Sequence, residues 1–154
     1  MILVRLFILI HNTETLINRQ YFDIPHTEQI MKLQLLNDEY CVYQFNPGDI
    51  ADIEKYRPHE FYSVTKTNDE LSIVARTGIF SSFIRAESGW RIFRICGTLD
   101  FSLIGILSKI SAVLAEANIS IFAVSTYNTD YIMIKNENIK KAAEVLRNND
   151  YEVS

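Results

Sequence analysis

The sequence predicts an α+β fold in which helices pack on one face of antiparallel sheets. Three observations predict it. A fourteen-residue pattern recurs at an offset of sixty residues, and each copy reads strand, polar turn, strand. Two segments in the second half carry apolar residues at helical spacing. Short apolar runs with partial alternation flank those segments, as strands do.

The elements follow in order. Lys32–Leu36 and Tyr40–Phe45 read as strands, Asn46-Pro47-Gly48-Asp49 as a turn, and Ile50–Tyr56 as at best a short helix. The first hairpin is Phe61–Val74, FYSVTKTNDELSIV. Residues 75–89 link the halves. Trp90–Cys96, WRIFRIC, reads as a strand that Gly97-Thr98-Leu99-Asp100 breaks. A helix should follow, because Leu103, Ile106, Leu107, Ile110, Val113, Leu114 and Ala117 form one apolar stripe. Asp100 suits its N-cap, since a carboxylate accepts the free N–H groups of a first turn. Asn118 suits its stop, because Asn tolerates the left-handed conformation. Gly105, near the helix start, implies a close neighbour, either a ligand or the sheet.

The second hairpin is Ile121–Ile134, IFAVSTYNTDYIMI. Set against the first without a gap, Val64 meets Val124, Asn68 meets Asn128, and Glu70 meets Asp130. A repeated unit explains the match; two unrelated hairpins of similar pattern would also give it. After it, Asn136 to Asn138 offers another N-cap, and Ile139, Ala142, Ala143 and Leu146 a second stripe. Asn148-Asn149 ends that helix, and Tyr151–Val153 reads as a short last strand. The second half is therefore β-α-β-β-α-β, with both helices on one face of its sheet.

Composition bounds the function. The 154 residues are 48% hydrophobic and 22% charged, an ordinary globular balance. A net charge of -4 and a pI near 5.4 argue against a nucleic-acid partner. Cys41 and Cys96 form no CxxC pair, and His11, His26 and His59 have no metal-ligand spacing, so neither a disulfide nor a metal site is indicated. The opening run MILVRLFILI is too short to span a membrane and lacks the marks of a secretory signal, so a cytoplasmic location without membrane partners is expected. Residues 1–30 read as a dispensable extension or as an added strand covering a sheet edge.

The chemistry of the residues favours binding over catalysis. No nucleophile elbow, phosphate loop or dinucleotide fingerprint is present, so neither an enzyme nor a cofactor is indicated. Asp100 and Asp130 make a conceivable carboxylate pair, but capping and turn formation are commoner tasks for Asp at element boundaries. A helix start offers N–H groups to an anion such as an α-carboxylate. The polar turn Ser125-Thr126-Tyr127-Asn128-Thr129-Asp130 offers hydroxyls, a ring and a carboxylate to the rest of an amino acid, unless it is simply a solvated turn.

The segment GTLDFSLIGILSKISAVLAEANISIFAVSTYNTDYIMI resembles the ACT domains grouped with the arginine-sensing CASTOR proteins and with bacterial aspartate-kinase-like ACT proteins. FYSVTKTNDELSIV resembles the corresponding hairpin of the first ACT unit in those proteins. The resemblance implies tandem ferredoxin-like ACT units, a degenerate first unit over 31–88 and a second over 89–154. It also implies a free amino acid held where two units meet. Carried over residue by residue, the site takes Asp100, Leu103, Ile106, Thr126, Tyr127 and Asp130 from one unit. Ser120 and Ile121 come from a partner unit, and Asn118 stands where many ACT regulatory domains place a ligand-contacting Asn. A homodimer is implied, with regulation of a separate target protein. Leu103 is apolar where the arginine sensor has an acid, and Asp100 stands where it has Gly. A neutral or small apolar amino acid is therefore expected rather than arginine. In the first unit Lys66 and Thr67 align with Thr126 and Tyr127, which implies a lost or altered site there. The alternative is a dimerisation module without ligand.

Overall fold

The computed structural model describes residues 30–50, 61–97 and 105–154. The expected short helix after Ile50, the N-terminal extension up to residue 29, and Asp100 and Leu103 lie outside them. Eight strands and two helices are described: β1 Lys32–Leu35, β2 Tyr40–Phe45, β3 Ser63–Lys66, β4 Leu71–Arg76, β5 Arg85–Ile95, α1 Ile106–Glu116, β6 Ile121–Ser125, β7 Asp130–Lys135, α2 Ile139–Arg147 and β8 Glu152–Val153. The α+β class follows, with the ferredoxin-like order in the second half.

All eight strands join one sheet, and β5 is its hub. The segment expected to link the halves is only partly a linker. Residues 77–84 form turns and bends, but Arg85–Gly89 extend β5 toward its N-terminus and pair with β2. Alternation gave no sign of this, because Glu87, Ser88 and Gly89 are poor strand formers. At the point where β5 passes from one half to the other, its register with β2 shifts between Tyr40↔Trp90 and Val42↔Glu87. Ser88 and Gly89 thus oppose Cys41 alone. Gly89 takes φ 78°, as such a bulge favours glycine. The Lys135 ammonium bonds the Glu87 carboxylate and donates to the Ser88 carbonyl at 2.6 Å. It also lies 4.4 Å from the centre of the Trp90 ring, so the end of β7 is tied to the bulge.

The first half runs β3-β4-β2-β5 and the second β6-β7-β5-β1-β8. The strand next to β5 in the second half comes from the start of the chain. Leu33↔Ile95 and Leu35↔Phe93 pair antiparallel, while Lys32↔Glu152 and Leu33↔Val153 pair parallel on the other side. β1 therefore separates β5 from β8, the first and last strands of the βαββαβ unit. Leu33 is fully buried in that position.

Side-chain alternation divides the core. Phe93 and Ile95 of β5 and Ile132 and Ile134 of β7 face Ile110 and Leu114 of α1 and Ala142 and Leu146 of α2. Ile106, Leu107, Val113, Ala117, Ile139 and Ala143 pack partly buried around them, as both stripes require. The opposite face of β5 and β7, with Ile92 and Met133, meets Tyr40, Phe61 and Val74 of the first half. The rings of Phe61 and Tyr131 stand 4.3 Å apart there. A further apolar cluster, Cys41, Tyr43, Leu71, Ile73 and Ala75, fills the other side of the first half. Burial pushes the Cys41 thiol above its usual range. Native protein treated with a thiol reagent near pH 8 is expected to lose the half-buried Cys96 thiol first, with Cys41 reacting only on denaturation. Peptide mapping of the labelled protein checks the order.

Candidate ligand-binding site

The helix of the second half begins later than Asp100 suggested. Its first residue is Ile106 and its N-cap is Gly105, at φ 85°, with no side-chain cap and no acid in the first turn. The reason for the glycine is this left-handed conformation. A β-carbon at Gly105 would meet no atom of the described residues within 4 Å, so none of the described backbone is the expected close neighbour. The first helical bond runs from the Lys109 N–H to the Gly105 carbonyl at 2.9 Å. The N–H groups of Ile106, Leu107 and Ser108 open the helix, where an anion is favoured.

The helix stop is as expected. Asn118 takes φ 57°. Its N–H donates to the Ala115 carbonyl and that of Ile119 to the Leu114 carbonyl, each at 2.9 Å. These two bonds make a Schellman ending. Asn118 and Ser120 are exposed, and Ile121 is half-buried at the start of β6. At the second helix, Asn138 is the N-cap by position but forms no cap bond.

The hairpin turn is ordered by threonines. The Thr126 hydroxyl donates to the Thr129 carbonyl at 2.8 Å and accepts the Thr129 N–H at 3.3 Å. Thr129 is buried, and its own hydroxyl donates to the Ile95 carbonyl at 2.7 Å. Tyr127 is 80% exposed at the tip, and half-buried Asp130 pairs with Ser125.

The first hairpin has the same turn, but at an offset of 59 residues. Ser125↔Asp130 closes one turn and Lys66↔Leu71 the other. Thr67 matches Thr126: its hydroxyl donates to the Glu70 carbonyl and accepts the Glu70 N–H. The gapless alignment was thus out by one residue, and its equivalences of Lys66 with Thr126 and Thr67 with Tyr127 do not hold. The apolar Leu71 occupies the place of Asp130, so the first half lacks the acid rather than the threonine.

The structure gathers one part of the expected site and separates another. β5 and β7 run antiparallel, with Arg94 opposite Tyr131. The hairpin turn with Thr126, Tyr127 and Asp130 therefore lies at the C-terminal end of β5, the end from which the chain leaves toward Ile106. Asn118, Ser120 and Ile121 lie at the other end of β6, about 13 Å away by strand rise. Among the described residues no group of His, Cys, Asp and Glu side chains could hold a metal ion. No described helix is long and apolar enough to cross a membrane.

Two helices on one face of a sheet built in βαββαβ order define an α+β module of ferredoxin-like type. Residues 85–148 match the ACT domain family model. Over 59 residues, 38% of the chain, it is 39% identical to the cytosolic arginine sensor for mTORC1 subunit 1 of Homo sapiens. The Bos taurus protein matches to the same degree. That match spans 18% of each relative's length. A crystal structure of a protein from Agobacterium tumefaciens is similar over 81% of this chain and 92% of that one, at 28% identity and a TM-score of 0.73. The aspartate kinase of Clostridium acetobutylicum shares the fold over 75% of this chain and 34% of that one, at 14% identity and a TM-score of 0.56.

Proposed function

We propose that the protein is a cytoplasmic regulatory module that binds a free amino acid where the second ACT units of two copies meet. One observation carries the reading: the site residues are split between the two ends of a strand with an open edge. Among the described strands β6 pairs with β7 alone, so one row of its N–H and C=O groups is available to another strand. A second copy laid antiparallel on that edge, with the two-fold axis at Ala123, sets Ile121 opposite the partner's Ser125. Ser120 then falls opposite the partner's Thr126. The axis joins what one chain holds apart.

In this reading residues 31–88 are the first ACT unit, 89–154 the second, and 1–30 an extension. The helix start takes the ligand carboxylate, Asp130 its ammonium, and Tyr127 forms a wall. Asp100, Leu103 and Ile106 complete one side, with Ser120, Ile121 and Asn118 from the partner. Leu103 offers nothing to a guanidinium, so a neutral or small apolar amino acid fits better than arginine. The regulated target is a separate protein.

A thermal-shift screen of the twenty amino acids tests this. Ligand at a hundred times its Kd is expected to raise the melting temperature by roughly 5–10 °C. Tight binding of arginine alone would overturn the ligand class. A stable dimer that no amino acid shifts would leave a dimerisation module.

A further inference from the structure

Thr129 does more than close its own turn. Only 3% of its surface is exposed, and its hydroxyl reaches across to the last residue of β5, the Ile95 carbonyl, at 2.7 Å. On the far side of β5 the Cys96 N–H donates to the Lys32 carbonyl of β1 at 2.8 Å. Ile95 and Cys96 are therefore gripped from both neighbouring strands at the point where the chain leaves the sheet. The first half supplies an independent comparison. Glu70 holds the place of Thr129 there, and its carboxylate accepts the Gln44 side-chain amide at 2.8 Å. Both halves thus tie the fourth residue of the turn to the strand beside the hairpin, β2 in the first half and β5 in the second. Only the second half does so with a buried hydroxyl on the backbone.

We infer that Thr129 is a positioning residue of the ligand site. Its hydroxyl sets the distance between the turn that carries Thr126, Tyr127 and Asp130 and the end of β5. It needs no contact with the ligand to do so. Losing a hydrogen bond in that buried place is costly, so the tie resists drift of either segment. The inference rests on the amino-acid reading above, but its first test needs no ligand.

That test is hydrogen exchange on the whole protein. Thr129→Val keeps the shape and removes the hydroxyl. Exchange is expected to quicken together in peptides covering Ile95–Gly97 and Thr126–Asp130, with helix α2 unchanged, and Thr129→Ser should restore both. Loosening of the turn alone, or an even rise across the protein, would overturn the inference. The second test uses an amino acid found in the screen, well below the melting temperature of each variant. Thr129→Val should weaken binding about tenfold, and Thr129→Ser by much less. An unchanged Kd would mean a purely structural role and would overturn the inference. If no amino acid binds the unaltered protein, the ligand reading falls, and the exchange result still decides whether Thr129 holds the two segments together.

Discussion

Leu33→Asp is expected to cost at least about 4 kcal/mol, most of the stability of an ordinary domain. Gln34→Asp beside it should change stability by about 0.5 kcal/mol or less. Leu33 is fully buried between the sheet and the helices of the second half. A carboxylate there would lose both the apolar contact and its water, with no cation among its core neighbours. Gln34 is exposed, and its backbone pairing with Arg94 does not depend on its side chain. The contrast separates two pictures of the chain. If β1 served only the first half, Leu33→Asp would leave α1 and α2 intact. With β1 between β5 and β8, the helices should melt with it. Urea unfolding followed by far-ultraviolet circular dichroism reads the helices. Trp90, the only tryptophan, reads the junction by fluorescence.

The second large effect is a recovery rather than a loss. Asp130→Ala and Ser120→Arg are each expected to abolish the thermal response to the amino acid, and mixing the two variants should restore part of it. Ser120 is exposed and Asp130 only half-buried, so both variants should fold. In a mixed dimer one site carries both defects and the other carries neither. After random exchange of subunits, intact sites should number roughly one for every four chains. A site built within one chain gives no recovery. Titration calorimetry on the refolded mixture, against each variant alone, distinguishes the outcomes.

Much of the fold was legible because burial leaves a period in the sequence. The stripes of α1 and α2 are read from spacing, since helices packed on one face need apolar residues there. Tyr40–Phe45 and Asn118 were legible for similarly local reasons. Less was legible where partners are distant or backbone conformation decides. Nothing in Lys32–Leu35 says that it pairs with β8 rather than staying with the hairpins of its own half. Arg85–Gly89 pair through backbone groups, with side chains that carry no strand signal. Gly105 stands out in the sequence, but spacing cannot separate a glycine chosen for close approach from one chosen for its φ. In the site, the turn residues announced themselves by polarity. Thr129 did not stand out among them, because its distinction is a bond to a carbonyl thirty-four residues away. Val64 and Asn68 favour the gapless pairing of the two hairpins at the wrong offset. Cross-strand register, which fixes the true offset, is invisible in a gapless comparison.

The place of β1 also bears on how the protein comes into being. Lys32 and Glu152 are neighbours in the sheet but 120 positions apart in the chain. Contacts of such separation slow folding, because a long loop must close before they form. β1 leaves the ribosome before either of its partners and must wait for both. Until β8 has been synthesised, one edge of β1 lies open and invites mispairing. The charged Lys32 and the polar Gln34, alternating with Leu33 and Leu35, make that waiting strand a poorer template for aggregation than an all-apolar one.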